Sequence, residues 1–413
     1  MTAILASGVR SAREPRSHSG RERLGRVIWL LLFLNVLPPI GIPTVIPINT
    51  RLTQLVAQAS LAAAMVLVLV LNRHFLVRPN LLLMLMTLLG ASSVAASMRT
   101  VSETGTVFRG GRFCVFILVL WLLTPLWTRR DLLLRWHMIA LMTALSTVVL
   151  GALVKPGGAF SAEGRLQGEL WPIPPTQVAH YAAVLAGITF LLLIAGSVRG
   201  LLPWCIGACS CAILLLAHTR TATIAMIAAG GVAAVSLITI RRRARVALIV
   251  GCIVVVLAGT VFGPAIGNWY TRGSAENVSS LSGRTKVWDQ LLDKPRSGFE
   301  QVFGIGLTNK SFAGRPVDNG WLAAYQDSGL FGVVICAAIF VSLLMMAATR
   351  PRGPNVAVAI FIIFYVAITS LAETGLGDAS TYMLDLTVAA SLIAGGGEPR
   401  WSRQAESPVS VMG

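Results

Sequence analysis

Charge is scarce in this chain. Only 12% of its 413 residues are Asp, Glu, Lys or Arg, where a soluble domain carries about 25%. That scarcity excludes an ordinary soluble enzyme, whose surface must be covered with charge. Acid is scarcest: 17 acidic residues stand against 34 basic ones, a formal net charge of +17. Nucleic acid is nonetheless not expected as a partner. Many of the basic residues sit in short connectors between apolar blocks, where they signal topology and meet lipid headgroups. Cysteine is also rare. The 6 cysteines lie in or beside apolar blocks, and Cys205, Cys209 and Cys211 crowd one helix without histidine or carboxylate at ligand spacing. Small packing residues are expected there, and a metal site is not. No cleavable signal is evident, because the arginine-rich start leads straight into the first apolar block.

What the chain has in abundance is hydrophobic residues, 55% of the total. They fall in blocks of roughly 17–22 residues, enough to cross about 30 Å of hydrocarbon as a helix. The blocks are continuous, whereas barrel strands would alternate. The expected fold is an all-α polytopic membrane protein with about 12 transmembrane helices. The spans are read at 27–47, 51–71, 80–98, 112–127, 132–154, 177–196, 200–217, 221–240, 245–266, 329–349, 355–372 and 380–395. Pro38, Pro39, Pro43 and Pro47 make the first span irregular. The organisation is then a basic cytoplasmic tail at 1–26, spans one to nine within 27–267, a large external loop at 268–328, spans ten to twelve within 329–395, and a second cytoplasmic tail at 396–413.

Orientation follows from the arginines. A cytoplasmic N-terminal tail makes alternate connectors cytoplasmic. These hold Arg73 and Arg78, then Arg129, Arg130 and Arg135, then Arg199, then Arg241, Arg242, Arg243 and Arg245, then Arg350 and Arg352. The loops at 99–111 and 155–176, the 218–221 turn and the insert at 268–319 then lie outside.

That insert is the only long polar run in the interior of the chain, so chemistry is expected there. It holds Ser282-Gly283-Arg284-Thr285 and a short amphipathic stretch with Val287, Trp288, Leu291 and Leu292 at helical spacing. Ser282 is placed to cap that helix, which would lie flat on the outer membrane surface. The insert also holds Gly304 and Gly306, and ends in Asp318-Asn319-Gly320-Trp321. The two glycines resemble a dinucleotide loop only superficially; they follow no strand, and a turn is expected.

Three outer arginines stand out: Arg165, Arg220 and Arg284. Each has a plain alternative as an interfacial or headgroup contact. Arg220 is the least easily explained that way, because it opens a span on the side where the topology rule disfavours positive charge. Converging, the three would make a pocket for a doubly charged group such as a diphosphate. Asp318 lies within reach of them and could take a proton from an attacking sugar hydroxyl. The alternative is that Asp318 or Asn319 caps the next helix. Asp327, Glu373, Asp378 and Asp385 read as structural ion-pair partners for the arginines. His180, inside the sixth span, is either a satisfied core histidine or a proton relay.

This pattern resembles the O-antigen ligase and polysaccharide polymerase superfamily of bacterial envelopes. The resemblance is carried by Gly164-Arg165-Leu166, Thr219-Arg220-Thr221-Ala222, Ser282-Gly283-Arg284-Thr285 with Trp288, Gly304-Ile305-Gly306, Asp318-Asn319-Gly320-Trp321-Leu322 and Gly329-Leu330-Phe331-Gly332. It covers roughly residues 155–350. Ligases of that family usually have histidine where this chain has Asp318, which favours a polymerase or a related glycan transferase.

The resemblance implies a glycosyltransferase of the bacterial plasma membrane, active on the external face. The donor would be a glycan on undecaprenyl diphosphate, and the acceptor a second lipid-linked glycan or an envelope lipid. Arg220 and Arg284 would act in catalysis with Asp318; Arg165, Arg220, Arg284 and Asn319 would bind substrate. No cofactor is expected, and no metal, since the insert lacks an acidic pair at metal spacing. Membrane lipids and other envelope-biosynthesis proteins are the expected partners. A transporter or flippase of lipid-linked sugars is the rival reading, because twelve spans suit it and arginines could line its cavity.

Overall fold

The computed structural model describes residues 17–38, 44–45, 48–99, 104–128, 131–238, 242–261 and 284–394. The described chain is largely helical. In order, the helices are α1 (Ser17–Asn35), α2 (Thr50–Leu71), α3 (Leu81–Arg99), α4 (Thr104–Leu123, continued by a 3-10 turn at Thr124–Thr128), α5 (Leu132–Val154), α6 (Pro175–Ile194), α7 (Leu201–Leu216), α8 (Arg220–Leu237) and α9 (Arg242–Val261). Two short helices, α10 (Arg284–Asp293) and α11 (Gly298–Phe303), precede a two-residue antiparallel ribbon of β1 (Ser311–Phe312) and β2 (Arg315–Pro316), with Ser311 opposite Pro316. The chain closes with α12 (Gly320–Thr349), α13 (Pro354–Thr369) and α14 (Thr381–Ala394).

Among the described residues, 7 helices are long and apolar enough to cross a membrane: α2, α3, α4, α5, α6, α8 and α12. The helices α7, α13 and α14 are apolar but shorter. Each expected span coincides with a helix, and three differ in extent; α4 begins at Thr104, ahead of the expected 112. The first helix runs over Ser17–Asn35, where a span at 27–47 was expected. Pro38 and Pro39 follow its end, and proline disfavours helix both at its own position and just before it. The helix of the tenth expected span, α12, begins at Gly320, well before 329, because Asn319 caps it there. The Asn319 side chain accepts from the N–H groups of Trp321 and Leu322. At Gly329 (φ 63°) this helix breaks its geometry and kinks.

The core centres on α6 and α14, apolar around nearly their whole circumference and buried accordingly. Helices α6 and α13 approach closely: a Cβ at Gly187 would fall 2.0 Å from the Phe361 ring. One polar cluster interrupts this apolar centre. Asp385 of α14 meets His137 Nε2 of α5 at 2.7 Å and His180 Nε2 of α6 at 3.0 Å, all three buried. Asp385 therefore partners histidines and not an arginine, and His180 is a core histidine paired through Nε2 with Asp385. Cys205 and Cys209, expected as packing residues, are exposed on α7, and Cys211 is half-buried.

The connectors gather at two ends of the bundle. At one end the Val45 N–H donates to Glu169 O (2.9 Å), the Leu166 N–H to Leu216 O (3.0 Å) and the Gly320 N–H to Ser370 O (2.8 Å). Gly306 packs there against Ser97, at the end of α3. At the other end Asn72 Nδ2 donates to Leu122 O (3.0 Å), the Arg78 N–H to Thr124 Oγ1 (2.9 Å) and Asn355 Nδ2 to Asp131 Oδ1 (3.0 Å). The polar segment 284–319 thus shares an end with the 155–174, 217–219 and 370–380 connectors.

Candidate functional site

Two short-range features set Asp318. Its backbone takes a left-handed conformation (φ 44°), which costs a residue with a Cβ about 1–2 kcal/mol. Trp288 of α10 donates from Nε1 to Val317 O at 2.7 Å, tying the short amphipathic helix to the chain just ahead of Asp318. The result is an ion pair between Arg284 Nε and Asp318 Oδ2 at 3.2 Å, both side chains nearly 30% exposed. Because Asn319 does the capping, the Asp318 carboxylate is available to Arg284. Asn319 Oδ1 is engaged by two backbone donors, at 3.0 and 3.1 Å, and its amide nitrogen is the end that remains for a ligand.

The amphipathic helix buries Val287 and Leu291. Leu292, expected on the same face, is 56% exposed: the buried stripe is narrower than the spacing implied, because a ten-residue helix covers only what lies directly beneath it. Ser282 and Gly283, the expected cap and turn of this helix, lie outside the described residues.

Arg165 is positioned by the 155–174 connector, where Phe160 and Leu166 form a β-bridge. The Arg165 guanidinium donates to Ala217 O (Nε, 3.2 Å) and to Thr219 Oγ1 (3.0 Å), and faces Glu163 at 3.6 Å. It therefore docks on the turn that leads into Arg220, the first residue of α8. The turn itself is tight: His218 has φ 47°. Arg220 is half-buried at the head of α8, with its Nε and NH2 nitrogens buried. Arg165 and Arg220 thus come from connectors far apart in sequence that meet at one place.

The centre of the arrangement is a residue the sequence offered only as a structural partner. Glu373 lies in the 370–380 connector, folded over the start of α12. Gly320 lets this happen, since a Cβ there would sit 3.1 Å from both Glu373 O and Ser370 O. Trp321 Nε1 also donates to Ser370 Oγ at 3.0 Å. Burial pushes the Glu373 carboxyl up to about 7, against the opposing pull of Arg284; Asp318 raises it further and Arg165 lowers it. Arg165, Arg284 and Asp318 therefore all act on this one carboxyl. The signal in the sequence was a short outer connector between two apolar spans that carries two acids, Glu373 and Asp378.

The remaining acidic expectations resolve differently. Asp327 pairs with Lys310, and also accepts from the Thr308 N–H (3.1 Å) and hydroxyl (2.8 Å). Lysine takes the place of the expected arginine because the ribbon segment folds back across the first turns of α12. Gly304 and Gly306 form the turn that permits this, at φ 75° and 87°. A Cβ on Gly304 would fall 2.4 Å from the Asp327 backbone. The Ile305 and Gly306 N–H groups donate to Gln326 O (3.1 Å) and Asp327 O (2.9 Å).

Fold and site together define a polytopic helical membrane protein with a basic and acidic cluster at one end of its bundle. Residues 205–337 match the family model described as O-antigen ligase, which supports a function of the membrane glycan ligase or polymerase type. The matched region contains Arg220, Arg284, Asp318 and Asn319; Arg165 and Glu373 lie outside it. No curated protein matches the chain.

Proposed function

We propose that the chain transfers or polymerises a glycan from an undecaprenyl-diphosphate-linked donor onto a sugar hydroxyl, on the external face of a bacterial plasma membrane. The observation that carries this reading is that Arg284 pairs with Asp318 at 3.2 Å while Arg165 docks on the turn that bears Arg220, at the same end of the bundle. A diphosphate leaving group accumulates negative charge as its bond to the sugar breaks. Guanidinium forks stabilise that charge through paired hydrogen bonds, and no metal is required for it.

In the reaction the acceptor hydroxyl oxygen bonds to the anomeric carbon. The bond from that carbon to the diphosphate oxygen breaks, and its electron pair leaves with the diphosphate. Arg220 and Arg284 bind the leaving group, and Arg165 braces the turn beside it. Asp318 activates or orients the attacking hydroxyl. The acceptor is a second lipid-linked glycan or an envelope lipid.

The test is transfer by purified protein with lipid-linked glycan as donor. Arg220→Ala and Arg284→Ala are expected to abolish transfer while the protein still inserts in membranes. Near-normal transfer by both variants would overturn the clamp. A second reading, movement of lipid-linked sugars across the membrane, is favoured by one observation: the cluster of ionisable residues Asp385, His137 and His180 inside the bundle. Product formation in detergent, where no second compartment exists, separates the two.

A further inference from the structure

We propose that Glu373 is the group that takes the proton from the acceptor hydroxyl, and that Asp318 is a positioning residue that holds Arg284 on the leaving diphosphate. This inference rests on the proposed transfer reaction and moves to Glu373 the role at the attacking hydroxyl that was first given to Asp318.

The two carboxylates are built differently. Asp318 Oδ2 is already engaged by Arg284 Nε at 3.2 Å. That contact engages one carboxylate oxygen and fixes the guanidinium in place. The Asp318 backbone is left-handed, an arrangement the surroundings must enforce, which fits a residue whose position matters.

Glu373 sits on a connector held at several points. The Ser370 carbonyl accepts from the Gly320 N–H at 2.8 Å and the Ser370 hydroxyl accepts from Trp321 Nε1 at 3.0 Å. On the far side Ser380 Oγ donates to Gly375 O at 2.6 Å, and the Tyr382 ring closes against Gly375. Pinned on both flanks, the connector holds the Glu373 backbone against Gly320, two residues after Asp318 of the Asp318–Arg284 pair. The groups whose charge bears on its carboxyl are Arg284 of α10, Asp318 ahead of α12 and Arg165 of the 155–174 connector, and its own charge bears on the phenols of Tyr365 on α13 and Tyr382 on α14.

Such a setting suits a general base. Burial keeps the carboxyl near 7, so it is part ionised at neutral pH and holds a received proton well enough to drive the attack. The hydroxyl proton passes to a Glu373 oxygen as the new bond to the anomeric carbon forms. The electron pair departs with the diphosphate, held by the arginines. Glu373 then returns its proton to water once product leaves.

The experiment is the pH profile of transfer by the purified full-length chain. The probe is undecaprenyl-diphosphate-linked glycan extracted from the bacterium that carries the chain, offered as donor and acceptor. Wild type is expected to lose rate as pH falls through about 7. Glu373→Gln should lower the rate by at least about 100-fold. Glu373→Asp should keep measurable transfer with its acid limb displaced. Asp318→Asn should lower the rate and leave the acid limb where it is. Elution as a single species and unchanged helical circular dichroism show that each variant is folded; if Glu373→Gln fails this, the displaced limb of Glu373→Asp decides.

Glu373→Gln within about 3-fold of wild type would overturn the assignment. So would an acid limb unmoved by Glu373→Asp, or one that persists in Glu373→Gln and vanishes in Asp318→Asn. Absence of transfer by wild type itself would instead remove the proposed reaction, and this inference with it.

Discussion

Arg284 Nε lies 3.2 Å from Asp318 Oδ2, and this contact joins the start of the short amphipathic helix to the last residue before the cap of α12. One partner brings the charge that a diphosphate needs and the other keeps it aimed. Arg284→Ala is expected to lower glycan transfer by about 100-fold or more, the scale of losing one donor to a developing anion. Arg284→Lys keeps the charge and loses the fork, so it should recover only a small part of that loss. Initial rates of transfer by the purified variants check both.

Asn319 holds the register of this contact. Its side chain satisfies the Trp321 and Leu322 N–H groups at the head of α12. Asn319→Ala should cost about 1 kcal/mol of stability, whereas Asn319→Asp and Asn319→Ser should cost little. Thermal unfolding in detergent reads this directly. A much larger loss of transfer than of stability in Asn319→Ala would indicate that its amide also meets substrate.

Glu373 links pH to stability with a definite sign. Its carboxyl is held near 7 in the folded chain, above the ordinary carboxylate range. As pH rises from about 4.5 to 7 the unfolded chain releases this proton while the folded chain keeps it. The contribution to stability is therefore present in acid and falls across that window. Glu373→Gln, which cannot ionise, should be more stable than wild type above pH 7 by about 1–3 kcal/mol and similar to it near pH 4. Unfolding temperatures at several pH values test it; a variant less stable than wild type at pH 8 would contradict the burial argument.

The buried pair of contacts from Asp385 to His137 and His180 predicts a different behaviour. Removing the carboxylate leaves two imidazoles without their partner inside the bundle. Asp385→Ala is expected to destabilise the protein by about 3–5 kcal/mol. Yield and thermal stability in detergent would show the loss whichever function the protein serves.

The helices were legible in the sequence because apolar length alone decides them: each expected span has its helix, and proline and capping shift the ends. Arg165, Arg284 and Asp318 were legible because charge is conspicuous where charge is rare. Their meeting on Glu373 was not. That glutamate comes within reach of α12 through a glycine contact at 320 and two hydrogen bonds to Ser370, and no local pattern announces such a contact. Asp385 was misread for the same reason. Its partners lie on α5 and α6, far away in sequence, and helix packing alone brings them to it.

The most direct test of the whole account is product formation by the purified chain in detergent micelles, with undecaprenyl-diphosphate-linked glycan and no added metal. The account predicts a new glycosidic linkage with release of undecaprenyl diphosphate, lost in Arg284→Ala. Movement of lipid-linked sugar across reconstituted vesicles, with no linkage formed in micelles by the wild-type chain, would contradict it.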